Sequence, residues 1–354
     1  MSVKIRFLKA HHGDCILVTL TDQQIIQRIL IDGGPSYTFK PRQLGDQRDG
    51  DLKKVLEQLR ANNQKIDLVI LTHIDDDHIG GLIKAFEDPN SLSKIALKVI
   101  FNSYQLIHED FNKTIDINNN ILGNFTLNNK TSVKQGDTLE KFLELNNIWD
   151  KRIYKQLDEY NLKKGKIKFL SPNETELKKL LVKWEKEIES PFTSEHKTDW
   201  EKTYQELLEI DEFVEDDSIT NGSSVSFILE IDDKNYVFLG DAYPSTILEG
   251  LKKIGYDESN PLIAEMIKIS HHGSKKNTSI ELLKSLRSKC FVISTNGSRH
   301  GLPNKVTLAR VHSEISDAII YFNYPMIMEK IYNKKELNEL DWRVSGLEEE
   351  LKFD

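Results

Sequence analysis

The stretch "LTHIDDDHIGGL", from Leu71 to Leu82, places two histidines and three aspartates between an apolar run and a pair of glycines. The apolar run, residues 66–74, is nearly continuous and predicts a strand that is buried on both faces. Side chains at the end of such a strand converge on a crevice, and Gly80 and Gly81 allow a sharp turn into a helix. Imidazole and carboxylate groups gathered in this way indicate a metal site.

An acidic helix cap is the alternative interpretation of the same stretch, with Asp75–Asp77 facing the helix dipole. One aspartate is enough for a cap, whereas three aspartates in succession repel one another. The clustering of the three with His73 and His78 therefore favours a metal site over a cap.

The composition limits the class of protein. The chain has 354 residues, of which 38% are hydrophobic, and this supports a large core with one domain or one domain carrying an insertion. The sequence contains no run of about 18 apolar residues, so no membrane span is predicted. The N-terminus becomes polar too early for a signal peptide, so a cytoplasmic location is expected. The net charge of −8 argues against broad non-specific binding to nucleic acid, but it is compatible with a local basic rim.

Hydrophobic patterning predicts a mixed α/β protein. An apolar stripe at helical spacing predicts a helix over residues 51–61. Two runs of short strands, each followed by helices, predict two sheets between helical layers. Residues 109–213 are loosely patterned, so we expect a domain over 1–333 with a partly helical insertion there, followed by a charged tail at 334–354. Within the insertion, residues 209–217 ("EIDEFVEDD") indicate a solvated acidic loop.

Several segments of the chain resemble a known family. The segment "THIDDDHIGG" is similar to the HxHxDH signature of the metallo-β-lactamase fold, with Asp75 in place of the second histidine. Further segments resemble that fold and its competence-protein ComEC branch in the same order: "FLKAHHGDCILV", "LIDGG", "FLGDA", "ISHHGSKKNTS" and "VISTNGSRHGLPNKVTLARV". The resemblance covers about residues 3–105 and 218–315. It implies an αββα sandwich of the α/β (α+β) class.

The resemblance also implies a centre of two divalent ions, Zn²⁺ or Mn²⁺, with Mg²⁺ as a further option. The implied ligands are His73, Asp75, Asp77, His78, Asp241 and one or both histidines of the pair His271 and His272. His73 and Asp75 would hold one ion, Asp77 and His78 would hold the other, and Asp241 would bridge them. Position alone would make Asp241 a turn residue at the end of a strand, but the order of the segments assigns it to the metal centre.

The histidine pair allows two assignments. His272 is the preferred ligand, because related proteins carry "GHG" at this place and the histidine before the glycine is the ligand. His271 is either a second ligand or a residue that faces the substrate. Asp77, Asp241 and His272 are the implied catalytic residues, with either aspartate orienting an attacking hydroxide.

Two departures from the family pattern bear on this centre. Most members supply another histidine ligand between the two halves, where this chain has Asn221 and Ser223. One ion would then be held mostly by oxygen, so Mn²⁺ or Mg²⁺ fits as well as Zn²⁺. The ComEC branch carries a His-Pro pair near the end of the matching region, where this chain has Leu302–Pro303. His300 either takes the place of the histidine of that pair or is an ordinary surface-loop histidine.

Two further loops are candidates for the rim of the site. His12 follows the first strand and lies either at the rim or in an ordinary hairpin. Asp32 ends a strand and is expected to support metal ligands by accepting hydrogen bonds. Ser274, Lys275 and Lys276 follow the histidine pair and indicate either a phosphate-holding turn or a solvated basic turn.

Arg299 and Lys305 extend the positive charge that Lys275 and Lys276 bring to this rim.

The expected reaction is metal-assisted hydrolysis by activated water. The first hypothesis is a phosphodiesterase, most simply a nuclease with DNA as substrate, and defence against phage would suit a stand-alone member. The second is a small-molecule hydrolase for an ester, lactone or thioester, favoured by the acidic charge and the large insertion. The third is a non-catalytic protein that binds a protein partner through the insertion.

Overall fold

The computed structural model describes residues 1–40, 49–112, 131–186, 198–340 and 342–354. Two β-sheets lie face to face in this part of the chain, and helices cover the outer face of each sheet. This is the αββα sandwich of the metallo-β-lactamase fold, so the predicted fold class is confirmed.

The strands of the described residues are β1 (Ser2–Phe7), β2 (Ile16–Asp22), β3 (Ile25–Ile31), β4 (Leu68–Ile70), β5 (Val99–Ile100), β6 (Glu159–Asn161), β7 (Lys166–Ser171), β8 (Ser226–Ile231), β9 (Lys234–Phe238), β10 (Leu262–Ala264), β11 (Met266–Lys268), β12 (Leu286–Ser288), β13 (Cys290–Ile293), β14 (Ile319–Phe322), β15 (Val344–Gly346) and β16 (Glu350–Phe353). Their helices are α1 (Asp51–Ala61), α2 (Asp76–Glu87), α3 (Leu92–Ile95), α4 (Tyr104–Asn112), α5 (Thr131–Asn146), α6 (Glu174–Lys186), α7 (Tyr204–Glu209), α8 (Ile219–Gly222), α9 (Pro244–Lys253), α10 (Ile280–Ser285), α11 (Lys305–Glu314), α12 (Met328–Ile331) and α13 (Lys334–Glu339).

The strand order gathers several loops at one edge of the sandwich. The first sheet has the order β16-β1-β2-β3-β4-β5, and the second has the order β15-β14-β13-β11-β9-β8-β7-β6. In the second sheet β9, β11 and β13 run parallel to one another, as β3, β4 and β5 do in the first. The carboxyl ends of parallel strands meet at the same edge, so the loops after β9, β11 and β13 are neighbours.

Three buried layers hold the sandwich together. Side chains that alternate along the strands fill the space between the sheets, for example Ile5 and Val18 from the first sheet and Phe227 and Phe238 from the second. Burial of each such side chain contributes about 1.5–3 kcal/mol. On the outside of the first sheet, α1 buries the apolar stripe that predicts it, and its bounds agree with the expected residues 51–61.

The predicted strand over residues 66–74 is much shorter in the structure. Regular pairing ends at Ile70, although the backbone N–H of Leu71 still donates to the carbonyl of Ile100. The next N–H, that of Thr72, donates to the carboxylate of Asp32 instead of to a neighbouring strand. A side chain therefore replaces the sheet ladder here, which releases the following residues into the loop that leads to α2.

The C-terminal residues are not a separate charged tail. Within 334–354, β15 pairs with β14 in the second sheet and β16 pairs with β1 in the first. Leu351 and Phe353 alternate with charged residues and pack against the layer between the sheets. The expectation of a tail followed the charge of this segment, which lies on the outward face of an edge strand.

The insertion is interrupted by core structure. β6 and β7 lie within residues 109–213, yet β7 pairs with β8 and extends the second sheet. Helices α5 and α6 pack beside α2 and α4, and they bury Leu139, Leu143 and Trp184 there. The parts of the insertion at 113–130 and 187–197 lie outside the described residues. Among the helices of the described chain, none combines the length and apolar character that a membrane span requires.

Candidate metal centre

The predicted ligands come from the ends of strands in both sheets. His73 and Asp75 lie in the loop after β4, and His78 lies in the first turn of α2. Asp241 follows β9, and the histidine pair follows β11 in a short 3₁₀ turn over Ser270–Gly273. Both histidines of that turn have positive φ, 46° for His271 and 53° for His272. This backbone turns two consecutive imidazoles toward the same crevice.

One carboxylate oxygen lies at the middle of the cluster. The Oδ2 atom of Asp241 is surrounded by the Nε2 atoms of His78 at 3.4 Å, His73 at 3.7 Å, His271 at 3.8 Å and His272 at 3.9 Å. Asp241 is itself buried, and its backbone N–H donates to the hydroxyl of Ser224. The structure therefore brings together the histidines and the aspartate that the sequence assigns to the centre.

Two further carboxylates divide this cluster into two positions. The Oδ2 atom of Asp75 lies 3.7 Å from Nε2 of His73, and the Oδ2 atom of Asp77 lies 3.5 Å from Nε2 of His272. We call the set formed by His73, Asp75 and the shared Asp241 the His73 position. We call the set formed by Asp77, His78, His272 and the shared Asp241 the His78 position.

Several buried polar atoms of the cluster lack a hydrogen-bond partner among the described residues. They are the Nε2 atoms of His73, His78 and His272 and the Oδ1 atom of Asp241. An unpaired buried polar atom is unfavourable unless a ligand satisfies it. Oxygen and nitrogen donors of this kind suit Zn²⁺ and Mn²⁺, so the residues present fit the divalent ions that the fold implies.

The opposite ring nitrogen of each buried histidine is held by a supporting group. The Nδ1–H of His78 donates to Oδ2 of Asp32 at 2.7 Å, and that of His272 donates to the carbonyl of Ser294 at 2.7 Å. The Nδ1 of His73 lies 3.1 Å from the hydroxyl of Thr72, which donates to Asp32. Donation through Nδ1 leaves the Nε2 lone pair directed at the cluster, as metal ligation requires.

The electrostatics of the cluster favour bound positive charge. Burial alone would lower the pKa of His78, but the carboxylates of Asp241, Asp32 and Asp77 raise it well above its usual range. Burial likewise opposes protonation of His272, yet Asp14 and Asp241 raise its pKa to about 9. The pKa of Asp241 falls well below its usual range, because the surrounding histidines outweigh its burial.

The candidate rim residues differ in where the structure places them. His12 is buried beside the cluster, with Nδ1 3.0 Å from the hydroxyl of Tyr37. Burial lowers the pKa of His12 to about 4; nearby Asp77 opposes this shift, and Arg299, His272 and His300 add to it. His300 itself is exposed, with a φ of 57°.

The expected basic rim is smaller than the sequence suggests. Ser274 is buried and its hydroxyl accepts the backbone N–H of Lys276, while the Lys276 ammonium lies 3.6 Å from Asp217. Lys305 is buried, and its ammonium donates to Glu336 at 2.6 Å, so it is not a rim residue. The side chains of Lys275 and Arg299 are exposed.

The sequence does not predict the supporting roles of three buried residues. Asp14 forms a buried ion pair with Lys268 and lies 3.5 Å from Nδ1 of His272. Lys268 lies within an apolar run of the sequence. A charged residue in such a run is the one sequence signal that could have indicated this buried ion pair. Asp216 was placed in a solvated loop, but it is buried and accepts a hydrogen bond from Asn221 at 2.7 Å.

The insertion contributes directly to the surroundings of the His73 position. In α5, the hydroxyl of Ser132 donates to Oδ1 of Asp75 at 3.3 Å, and the amide of Gln135 donates to Asp76 at 2.6 Å. The hydroxyl of Thr220 donates to Oδ2 of Asp75 at 2.9 Å. Inserted residues therefore contact one of the predicted metal ligands and its neighbour.

A comparison with protein-family models agrees with this fold. Residues 10–88, which include the "THIDDDHIGG" segment, match the family model described as Metallo-beta-lactamase superfamily. No curated protein gives a significant sequence match. The ComEC-like branch therefore stays a prediction.

Among solved structures, Zn²⁺-bound PqqB from Methylobacterium extorquens is similar at a TM-score of 0.41 and 11% identity, with 96% of this chain and 86% of that chain covered. An isothiocyanate hydrolase from Delia radicum gut bacteria is similar at a TM-score of 0.40 and 12% identity, with 100% of this chain and 98% of that chain covered. A CmlA beta-hydroxylase mutant is similar at a TM-score of 0.39 and 10% identity; 99% of this chain spans 53% of that chain.

Proposed function

We propose that the protein is a metal-dependent hydrolase that cleaves phosphodiester bonds, with DNA as the first candidate substrate. The observation that carries the proposal is the ring of histidine Nε2 atoms around Oδ2 of Asp241, together with the support at Nδ1 of the buried histidines. A buried ring of this kind is unfavourable in a merely structural role, because its donor atoms are unpaired.

The chain's own residues would bind the ions, orient the reaction and limit water. Divalent ions bound in such a centre lower the pKa of water and stabilise charge on the attacked group. Asp241 would hold both ions through one carboxylate, and Asp77 would orient the attacking oxygen at the His78 position. The Nδ1 atom of His12 is occupied by its contact with the hydroxyl of Tyr37. The Nε2–H of His12 would therefore be the group that donates a hydrogen bond to a leaving group beside Asp77.

The substrate class rests on the groups around His12 and on the sequence resemblance. Arg299 and His300 are close enough to lower the pKa of His12, so cationic and hydrogen-bonding groups border this side of the site. The exposed Lys275 follows the histidine pair on the same loop. A negatively charged phosphodiester suits this side, and the ComEC-like segments of the sequence favour the same substrate.

A small-molecule hydrolase is the second candidate, and one observation favours it. Ser132 and Gln135 of α5 contact Asp75 and Asp76, so the insertion narrows the site on the His73 side. A walled pocket suits a compact ester, lactone or thioester better than it suits a long duplex.

The test combines metal content with substrate cleavage. Protein loaded with Mn²⁺, Mg²⁺ or Zn²⁺ would be analysed by mass spectrometry and assayed on duplex DNA, single-stranded DNA and bis-(p-nitrophenyl) phosphate, beside ester, lactone and thioester substrates. We expect about two ions per chain and cleavage of the phosphodiesters that EDTA abolishes. The variant His78→Ala should lose this activity, whereas His108→Asn, which exchanges a histidine of α4, should keep it. Bound metal with cleavage of the small esters alone would replace the proposal with the second candidate, and no bound metal would overturn both.

A further inference from the structure

The two metal positions have unequal sets of ligands. The His78 position has two imidazoles and two carboxylates, whereas the His73 position has one imidazole, Asp75 and the shared Asp241. Asn221 and Ser223 stand where the resemblance implies a further histidine. The amide of Asn221 donates to Asp216 at 2.7 Å, and the hydroxyl of Ser223 donates to the carbonyl of Thr220 at 2.7 Å. Both side chains thus have other partners, and the His73 position needs a further donor.

We infer that His271 completes the His73 position and that Asp216 is the residue that positions it. The inference rests on the metal centre of the proposed function. The backbone N–H of His271 donates to the carbonyl of Gly240 at 2.9 Å, which fixes His271 next to Asp241. From there its Nε2 atom lies 3.8 Å from Oδ2 of Asp241.

His271 and His272 approach the shared oxygen from different sides. Their rings are 6.0 Å apart between centroids and inclined by 69°. His272 reaches Asp77, whereas the ring of His271 is oriented by Asp216 and its neighbours. The pair therefore divides between the two positions, and each position gains one imidazole from the same turn.

A buried network holds the other nitrogen of His271. Its Nδ1 lies 3.0 Å from Oδ1 of Asn277 and 3.4 Å from Oδ2 of Asp216. The amide of Asn277 donates to Asp216 at 3.1 Å and to the backbone carbonyl of Asp241 at 3.1 Å. This arrangement repeats the role of Asp32 behind His78: an acceptor takes the Nδ1–H, so that Nε2 is available to an ion.

The two positions differ in exposure. In the His73 position two ligands contact water, since the side chains of His271 and Asp75 are 24% and 32% exposed. In the His78 position only Asp77 does so, at 23%, while the side chains of His78 and His272 are 0% and 2% exposed. Ligands in contact with water are hydrated before they bind an ion and are held less rigidly. We therefore expect the His73 position to bind its ion more weakly than the His78 position.

Metal titration of single variants tests this inference. Mn²⁺ and Zn²⁺ would be titrated by calorimetry into metal-free wild-type, His271→Asn, His272→Asn and Asp216→Asn proteins, with ion content measured by mass spectrometry. Asparagine suits both histidine positions, because it tolerates positive φ. We expect the stoichiometry of His271→Asn to fall from about two ions to about one, with the tighter step retained. His272→Asn should lose the tighter step instead.

Asp216→Asn keeps the size of the side chain and tests the positioning role. It should retain both ions and weaken the second binding step by about 10-fold or more. The electron paramagnetic resonance signal of coupled Mn²⁺ ions should disappear in His271→Asn and persist in Asp216→Asn at saturating metal. Thermal unfolding of the metal-free proteins separates these effects from a loss of folding.

The outcomes distinguish this inference from the proposed function. If His271→Asn binds two ions with wild-type affinity, His271 is a substrate-facing residue and the inference is wrong, while the proposed function stands. If Asp216→Asn binds both ions as tightly as the wild type, Asp216 has no positioning role. If the wild-type protein binds no Mn²⁺ or Zn²⁺, the proposed function itself fails.

Discussion

The two sides of the centre differ in where their supports come from. Behind the His78 position, Asp32 and the carbonyl of Ser294 belong to strand ends of the sandwich and are buried. Behind the His73 position, Thr72 and Asp32 support His73 in the same way. The contacts to Asp75 and His271, however, come from α5, Thr220 and Asp216, which lie in or directly after the insertion. The sandwich alone thus supports the His78 position, whereas the His73 position depends in part on inserted residues.

Loss of the shared carboxylate tests whether the two sides form one centre. Asp241→Asn should abolish binding at both positions and reduce cleavage by about 10³-fold or more, because Oδ2 of Asp241 lies among the histidines of both positions and would serve both ions. Ion content and initial rates measure this effect. The matched control is Asp233→Asn, an exposed aspartate in the turn after β8 that should keep wild-type metal content and activity. Full retention of one ion by Asp241→Asn would mean that the positions are independent.

Loss of the supporting carboxylates tests the difference between the sides. Asp32→Asn should weaken the tighter binding step by about 100-fold, because Asp32 accepts the Nδ1–H of His78, whose side chain is fully buried. Asp216→Asn should have a smaller effect on the weaker step. Dissociation constants from calorimetry compare the two variants directly. Equal losses would show that exposure does not distinguish the two positions.

The sequence predicts those ligands of both positions that lie close together in the chain. His73, Asp75, Asp77 and His78 lie within one strand-to-helix loop, so their spacing carries the information. Asp216 could not be predicted, because a run of acidic residues is typical of a solvated loop. Only the fold brings it to Asn277 and His271 and provides the hydrogen bonds that make its burial favourable.

The same limit applies to the edges of the sandwich. The residues of β7 fall within the predicted insertion, because nothing local shows that this strand pairs with β8 across more than 50 residues. Likewise, the charge of residues 350–353 hides a short edge strand that pairs with β1 at the other end of the chain. Long-range pairing of short strands leaves little trace in local composition.

The buried pair of Lys268 and Asp14 extends the support of the His78 side. Lys268→Met should destabilise the protein by about 3–5 kcal/mol, because Asp14 would keep a buried charge without its partner. Urea unfolding of the metal-free protein measures the change, and Lys268→Met combined with Asp14→Asn should recover part of it. As a control, Lys276→Met alters an exposed ion pair and should change stability by less than about 0.5 kcal/mol. Equal effects of the two lysine variants would contradict the role given to this pair.

His312 shows what burial does to a histidine that faces no carboxylate cluster. Burial and the nearby Arg343 lower its pKa to about 4, whereas the carboxylates of the centre raise the pKa of His78 and His272. The native state therefore holds His312 neutral below the usual pKa near 6.5, while the unfolded chain takes up a proton. Its contribution to stability is complete above about pH 6.5 and is lost by about 1.4 kcal/mol per pH unit as the pH falls toward 4.

Urea unfolding of metal-free protein between pH 7 and pH 5 measures this effect as the difference between wild type and His312→Gln. Glutamine is a good helix former and its amide can donate to the carbonyl of Arg343, as the Nε2 atom of His312 does at 3.2 Å. Other titrating groups, including those of the metal centre, contribute equally to both proteins and cancel in the difference. The wild type should lose stability more steeply than the variant toward acid. Parallel curves would mean that His312 is protonated in the native state, and that burial near Arg343 does not shift its pKa in the direction opposite to those of His78 and His272.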